Sequence, residues 1–217
     1  MEPTPLLPVI DGVWRWSEWN APRGLWFNGH ALRLADAFVL VDPVAMSDEV
    51  IDALRVAGAG LSWLCVITNR DHLRAAAQVR TRFDARILVP AADAAAIDLR
   101  ADEELLDGLP VGGELTTVAV ADGKTPGELA LSWLSRRILI VGDAAVGVGA
   151  GLGMLADDKF ADVGAARRGV AQLAALTPEV ILVGDGEDVL GGGTEALRAL
   201  AAGPAQAPKP PPGARGC

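Results

Sequence analysis

The chain has 217 residues, 51% of them hydrophobic, which is enough for one domain with a sizeable core. Acidic side chains outnumber basic ones by 28 to 19, for a net charge of −9. This balance argues against a nucleic-acid partner or an anionic membrane. The opening MEPTPLLPVIDG has neither a basic start nor a long apolar stretch, and no run reaches transmembrane length, so a cytoplasmic protein is expected.

In chain order, VWRWSEW (13 to 19) alternates apolar and polar residues as a half-buried strand does. LWFNGHALRLA continues in the same style, with a turn signal at Asn28-Gly29. AFVLV runs into Asp42-Pro43. Ser47 then suits a helix N-cap, with Asp48 and Glu49 in the first turn and Val50, Ile51 and Leu54 on one face. WLCVI (63 to 67) reads as a buried strand, LRAAAQVRTRF as a helix and RILVP as the next strand. Residues 91 to 106 read as a weakly patterned helix.

ELTTVAV, LALSWL and RILIV (137 to 141) read as three strands, and the glycine-rich stretch after them as a loop reaching Phe160. Ala165 to Leu176 is expected to be helical, VILV (180 to 183) a strand, and Thr194 to Ala202 a last helix. The domain then spans 1–202, followed by a disordered proline-rich tail, 203–217. Cys65 lies in an apolar run and Cys217 is the last residue, so no disulfide framework is implied. This order of elements suits layered sheets covered by helices, but does not separate a four-layer αββα sandwich from a doubly wound sheet.

Several apolar runs end on a carboxylate. VLV leads to Asp42, ILIVG to Asp143, ILVG to Asp185 and CVITNR to Asp71. Strand ends on one edge of a sheet converge, and ligand sites form outside them. A single aspartate there reads as a turn or cap, whereas a set of them reads as a site that must be solvated, paired or bound to a cation.

The segments ITNRDHLRAAA, KTPGE, Gly142-Asp143 and Gly184-Asp185-Gly186, with VDP at 41 to 43, resemble the metallo-β-lactamase superfamily over residues 10 to 200. The resemblance implies an α/β fold, a four-layer αββα sandwich with its site at the shared strand edge, and hydrolase-like chemistry. It also implies that the family's histidine ligands are replaced. Aligned without a gap, the family's histidine positions read Asn69, Asp71, Arg74, Glu128 and Asp185, the aspartate between its second and third histidines reads Leu73, and its bridging aspartate is kept as Asp143.

The chain's two histidines, His30 and His72, cannot build a His-rich dizinc centre. Two outcomes remain. In one, Asp71, Glu128, Asp143 and Asp185, with Asn69 or His72, hold a single hard divalent metal, and a metal-activated water attacks an ester or thioester. Asp143, Asp71 and His72 are then the catalytic candidates. In the other, no metal binds: Arg74 sits among the carboxylates as the compensating charge, and the site binds a ligand or is a remnant.

His72, at a helix start, suits either a cap or a site, whereas His30 reads as structural and Lys124 as a solvated loop lysine. Trp14, Trp16, Trp19 and Trp26 read first as core packing and second as an aromatic wall beside the pocket or a dimer patch. The glycine runs 147 to 153 and 191 to 193 lack the lysine and serine of a phosphate loop, and no Gly-x-Gly-x-x-Gly follows an early strand, which sets a dehydrogenase aside. The partners expected are a small-molecule ligand or substrate and, for the dimer patch, a second copy of the chain as a homo-oligomer. No nucleic acid and no membrane are expected.

Overall fold

The computed structural model describes residues 3–203. The predicted tail from 204 onward and Cys217 lie outside the described residues. Strands β1 (Leu7–Ile10), β2 (Val13–Asn20), β3 (Leu25–Arg33) and β4 (Ala37–Val41) form an antiparallel meander. Helix α1 (Asp48–Ala57) crosses over to β5 (Ser62–Val66), and α2 (Ala76–Phe83) to β6 (Arg86–Pro90). With β7 (Glu103–Leu105), these strands extend the sheet in parallel. The first sheet therefore runs β1-β2-β3-β4-β5-β6-β7.

Strands β8 (Pro110–Val111), β9 (Leu115–Ala119), β10 (Leu129–Trp133) and β11 (Ile138–Val141) begin the second sheet. A ribbon, β12 (Val146–Val148) and β13 (Gly151–Gly153), and helix α3 (Val163–Ala174) follow. Then β14 (Val180–Val183) pairs parallel to β11, and α4 (Gly193–Ala202) comes last. The order is β14-β11-β10-β9-β8.

The central strands are apolar on both faces because each sheet is covered twice. In β4, Val39 and Val41 face the other sheet while Phe38 and Leu40 face α1 and α2. In β11, Ile138 and Ile140 point between the sheets and Leu139 and Val141 toward α3 and α4. Three apolar clusters thus separate four layers: helices, sheet, sheet, helices. This is the αββα sandwich. Ser47 caps α1, its hydroxyl accepting from the Val50 N–H. Among the described residues, no helix is long and apolar enough to cross a membrane.

Four local expectations are corrected. Asn28-Gly29 is not a turn: β3 runs straight through it, and the reversal falls at residues 21 to 24. Gly29 is needed because a Cβ there would enter the ring of its cross-strand partner Trp16. Residues 91 to 106 form a short helical turn at 94–96 and the edge strand β7, not a helix. The helix expected from Leu73 starts at Ala76, because Arg74 takes a left-handed φ of 31° that breaks the turn. The stretch to Phe160 contains the β12–β13 ribbon.

Candidate functional site

The C-terminal ends of β4, β5, β11 and β14 meet at one rim. Asp42 leaves β4 with φ 47° and lies buried. Its Oδ1 accepts from the Thr68 N–H at 2.8 Å, and its Oδ2 from the Thr68 hydroxyl at 2.6 Å. The same Oδ2 lies 2.7 Å from His72 Nδ1. The segment after β5 forms a single helical turn, Arg70–His72, with Asn69 Oδ1 accepting from the Asp71 N–H at 2.9 Å. This turn points His72 inward, its Nε2 3.5 Å from Asp143 Oδ2.

Asp143 follows β11. Its Oδ2 accepts from Lys124 Nζ at 2.9 Å and from Asn69 Nδ2 at 3.1 Å. Lys124 also pairs with Asp71 at 2.7 Å, so it is an ion-pair bridge rather than the solvated loop lysine its surroundings in sequence suggested. Glu128 lies behind, accepting from the Asp143 N–H at 2.8 Å and from Asn69 Nδ2 at 3.2 Å. Asp185 follows β14 and takes Arg74 Nη2 at 2.6 Å. Arg74 Nη1 reaches the Gly184 carbonyl at 3.2 Å, and the guanidinium lies 4.2 Å above the Phe27 ring.

The glycines before these aspartates have a packing cause. A Cβ on Gly142 would overlap the Thr68 hydroxyl, and one on Gly184 would fall against the His72 ring.

Electrostatics follow from burial and from these pairs. Burial alone would lower the His72 pKa. Asp42, helped by Asp143, overcomes both burial and the opposing Arg74 charge and raises it to about 10. Arg74 Nη2 lies 3.3 Å from His72 Nε2, close enough for its charge to oppose protonation of that ring. Burial and the neighbouring Asp143 raise Glu128 to about 8, against His72 and its hydrogen bonds. Asp143 is buried, yet His72 and Lys124 hold it well below the usual carboxylate range. Lys124 is raised: Asp71 and Asp143 outweigh its partial burial.

The expected site residues therefore separate into groups. His72, Asp143 and Asp185 are the trio, among the described residues, whose ligand atoms lie within 4.8 Å of one another. Asn69 and Glu128 support Asp143 from behind. Asp71, 46% exposed at its side chain, sits at the rim and reaches the centre through Lys124. Arg74 lies between Asp185 and the His72 ring. Leu73 turns away and packs with the helix-side core.

A small cavity of about 110 Å³ opens on this centre, lined by Arg23, Phe27, Asp71, His72, Arg74, Lys124, Asp143 and Asp185. Cys65 is buried away from it, and burial, with the Asp42 charge, pushes its thiol up and leaves it no nucleophile. Of the tryptophans, Trp16 is core, its Nε1 donating to the Val44 carbonyl, while Trp19 packs edge-on with Trp26 and lines a second cavity.

Sequence reasoning passed over Asp93. It is buried, and accepts from the Arg70 N–H at 2.9 Å, the Thr125 hydroxyl at 2.7 Å and the Gly127 N–H at 3.1 Å. It ties the His72 loop to the loop carrying Lys124 and Glu128.

A family model described as the metallo-beta-lactamase superfamily matches residues 10–203. A hydroxyacylglutathione hydrolase of Acidiphilium cryptum is 32% identical over 152 residues, which is 68% of this chain. This chain spans 58% of that relative's length. A metallo-β-lactamase from Hirschia baltica superposes with a TM-score of 0.72 at 17% identity, covering 93% of this chain and 97% of that one. One from Pontibacter korlensis gives 0.70 at 18% identity, covering 92% and 99%.

Proposed function

The chain belongs to the metallo-β-lactamase superfamily, and from that premise we propose that it is a divergent, metal-free member that binds a small molecule, without the dizinc centre or the hydrolysis that goes with it. The observation that carries this reading is the place of Arg74. Its guanidinium is hydrogen-bonded to Asp185 at 2.6 Å and sits 3.3 Å from His72 Nε2. A cation bound by the trio would need those same lone pairs.

Lys124 fills the other side, its ammonium on the Asp143 oxygen that faces His72. A guanidinium has no lone pair to give a metal and repels one. The donor set thus fits a network of side-chain cations and carboxylates, not a divalent ion. The carboxylates of Asp143 and Asp185, so close to one another, are stabilised by such charge between them.

Elemental analysis of the chain purified without added metal tests the reading. The expected result is substoichiometric zinc, iron, manganese and magnesium, with no hydrolysis of a hydroxyacylglutathione. Stoichiometric metal that Asp143→Ala releases would overturn it.

A second reading rests on the trio itself and on the name of the Acidiphilium relative. In it, His72, Asp143 and Asp185 hold one hard cation such as Mg²⁺ or Mn²⁺ and serve a hydrolase of ester or thioester bonds. It requires Arg74 and Lys124 to leave the carboxylates they now hold, and the same elemental analysis decides between the two.

A further inference from the structure

A larger cavity, about 450 Å³, lies on the helical side of the β2–β3 hairpin, separated from the charged centre by Arg74 and Phe27. Its walls are Glu18, Trp19, Asn20, Phe27, Ala45, Arg74, Ala75 and Gln78, and its volume suits a small organic ligand. The apolar part comes from Trp19, Phe27, Ala45 and Ala75.

The cavity's two charged groups differ in what they already hold. Arg74 is already committed to Asp185 and to the Phe27 ring. Glu18 makes no ion pair among the described residues, and accepts one long bond, 3.5 Å, from the Ala45 N–H. Gln78 donates its amide nitrogen to the Met46 carbonyl at 3.4 Å, which leaves its amide oxygen without a partner among the described residues. Trp19 Nε1 and the Asn20 amide nitrogen are donors also left without a side-chain partner among the described residues, but the charged group of this cavity that has no charged partner is Glu18, a half-buried carboxylate. A partly desolvated carboxylate gains most from a charged N–H donor.

We propose that this cavity binds a small primary amine carrying an apolar or aromatic group. The ammonium would donate to Glu18 and Gln78, and the apolar group would lie among Trp19, Phe27, Ala45 and Ala75. The assignment does not depend on the centre being metal-free, so amine affinity and metal content are separate readings. A ligand here would touch Arg74, the residue that also closes the charged centre.

The test titrates the full chain with phenethylamine, charged at neutral pH, and with 3-phenylpropanoate, a probe of similar size and opposite charge. Calorimetry reads affinity, and backbone NMR shifts locate the probe. The amine is expected to bind with a dissociation constant of about 1 mM or tighter and to shift Ala45 and Ala75. Glu18→Gln is expected to weaken it about tenfold with the melting temperature kept, while Glu104→Gln, at an exposed position on β7, leaves it unchanged. Equal or tighter binding of the carboxylate, an unchanged affinity in Glu18→Gln, shifts at other residues, or no saturable binding would overturn the proposal. Should Glu18→Gln fail to fold, the comparison of the two probes on the unaltered chain still decides.

Discussion

His30 and His72 are both buried, and each lies within bonding distance of an aspartate, yet they do different work. His30, in the middle of β3, places Nε2 3.2 Å from Asp188. That carboxylate also takes Arg15 at 3.1 Å and the Val183 N–H at 2.9 Å. The set is a closed brace between β3 and the segment after β14, and it borders neither of the two cavities described. Its carboxylate is held below its ordinary range, against burial, by His30, the Val183 N–H and Arg15. His72 is held by Asp42 through one ring nitrogen and presents the other to Asp143, Arg74 and a cavity. A buried histidine–carboxylate pair therefore does not mark a site. What marks one is a second ring atom facing open space among further charges.

The comparison breaks most readily at its arginines. Arg74→Ala leaves Asp185, 3% exposed, without its cation, and is expected to cost about 3 kcal/mol in urea unfolding. Arg15→Ala leaves Asp188 with His30 and the Val183 N–H, and Arg15 itself is 22% exposed, so a loss of about 1 kcal/mol is expected. Equal losses would mean that Arg74 is no more embedded in its network than Arg15 is in the brace.

Asp93 sharpens the contrast from another side, since it is a buried carboxylate held by N–H and O–H donors alone. Asp93→Ala orphans the Arg70 and Gly127 N–H groups and the Thr125 hydroxyl, and is expected to cost about 2 kcal/mol. The variant should also loosen the Lys124 loop, read as faster amide exchange at 124–128.

Asp93 also shows where the sequence stops being readable. Asp42, Asp143 and Asp185 announce themselves because each ends a run of apolar residues, and a run buried on both faces has a visible end. Asp93 lies in a segment of alanines and scattered charges, and its three donors come from two loops distant in sequence. Lys124 is silent for the same reason: nothing near it in sequence predicts Asp71 and Asp143 as neighbours. Asn28-Gly29 misleads in the opposite direction. The pair is a strong turn signal, but the glycine is there for the Trp16 ring, and Asn28 is there to donate to the Val183 and Gly186 carbonyls. The fold was legible from strand patterning and motif order. The pairing within the site was not, because ion pairs join residues that no periodicity connects.

The pH dependence of stability separates the histidines further. His72 is raised from 6.5 to about 10 in the folded state. Its contribution is complete below about pH 6.5 and is lost as pH rises through 10. Unfolding free energy should therefore fall between pH 7 and 10. His72→Gln should reduce that fall, while His30→Gln, which leaves His72 in place, should keep it. An alkaline slope in His72→Gln equal to that of the unaltered chain would show that the Asp42–His72 pair does not carry it.

The smallest effect expected is at Glu128, and it is a change of slope rather than of stability. Its carboxyl is raised from 4.5 to about 8, so it is mostly protonated and neutral at pH 7. Glu128→Gln replaces one neutral group with another of the same shape below pH 4.5, where the carboxyl is protonated in the folded and the unfolded chain alike, and should change stability there by less than about 1 kcal/mol. The carboxyl's own contribution is complete below pH 4.5 and is lost as pH rises through 8. The variant should therefore be flatter than the unaltered chain across that window, and relatively more stable above it. A large loss at pH 7 instead would mean that Glu128 is charged in the folded protein, with His72 and Asn69 outweighing its burial and the Asp143 charge beside it.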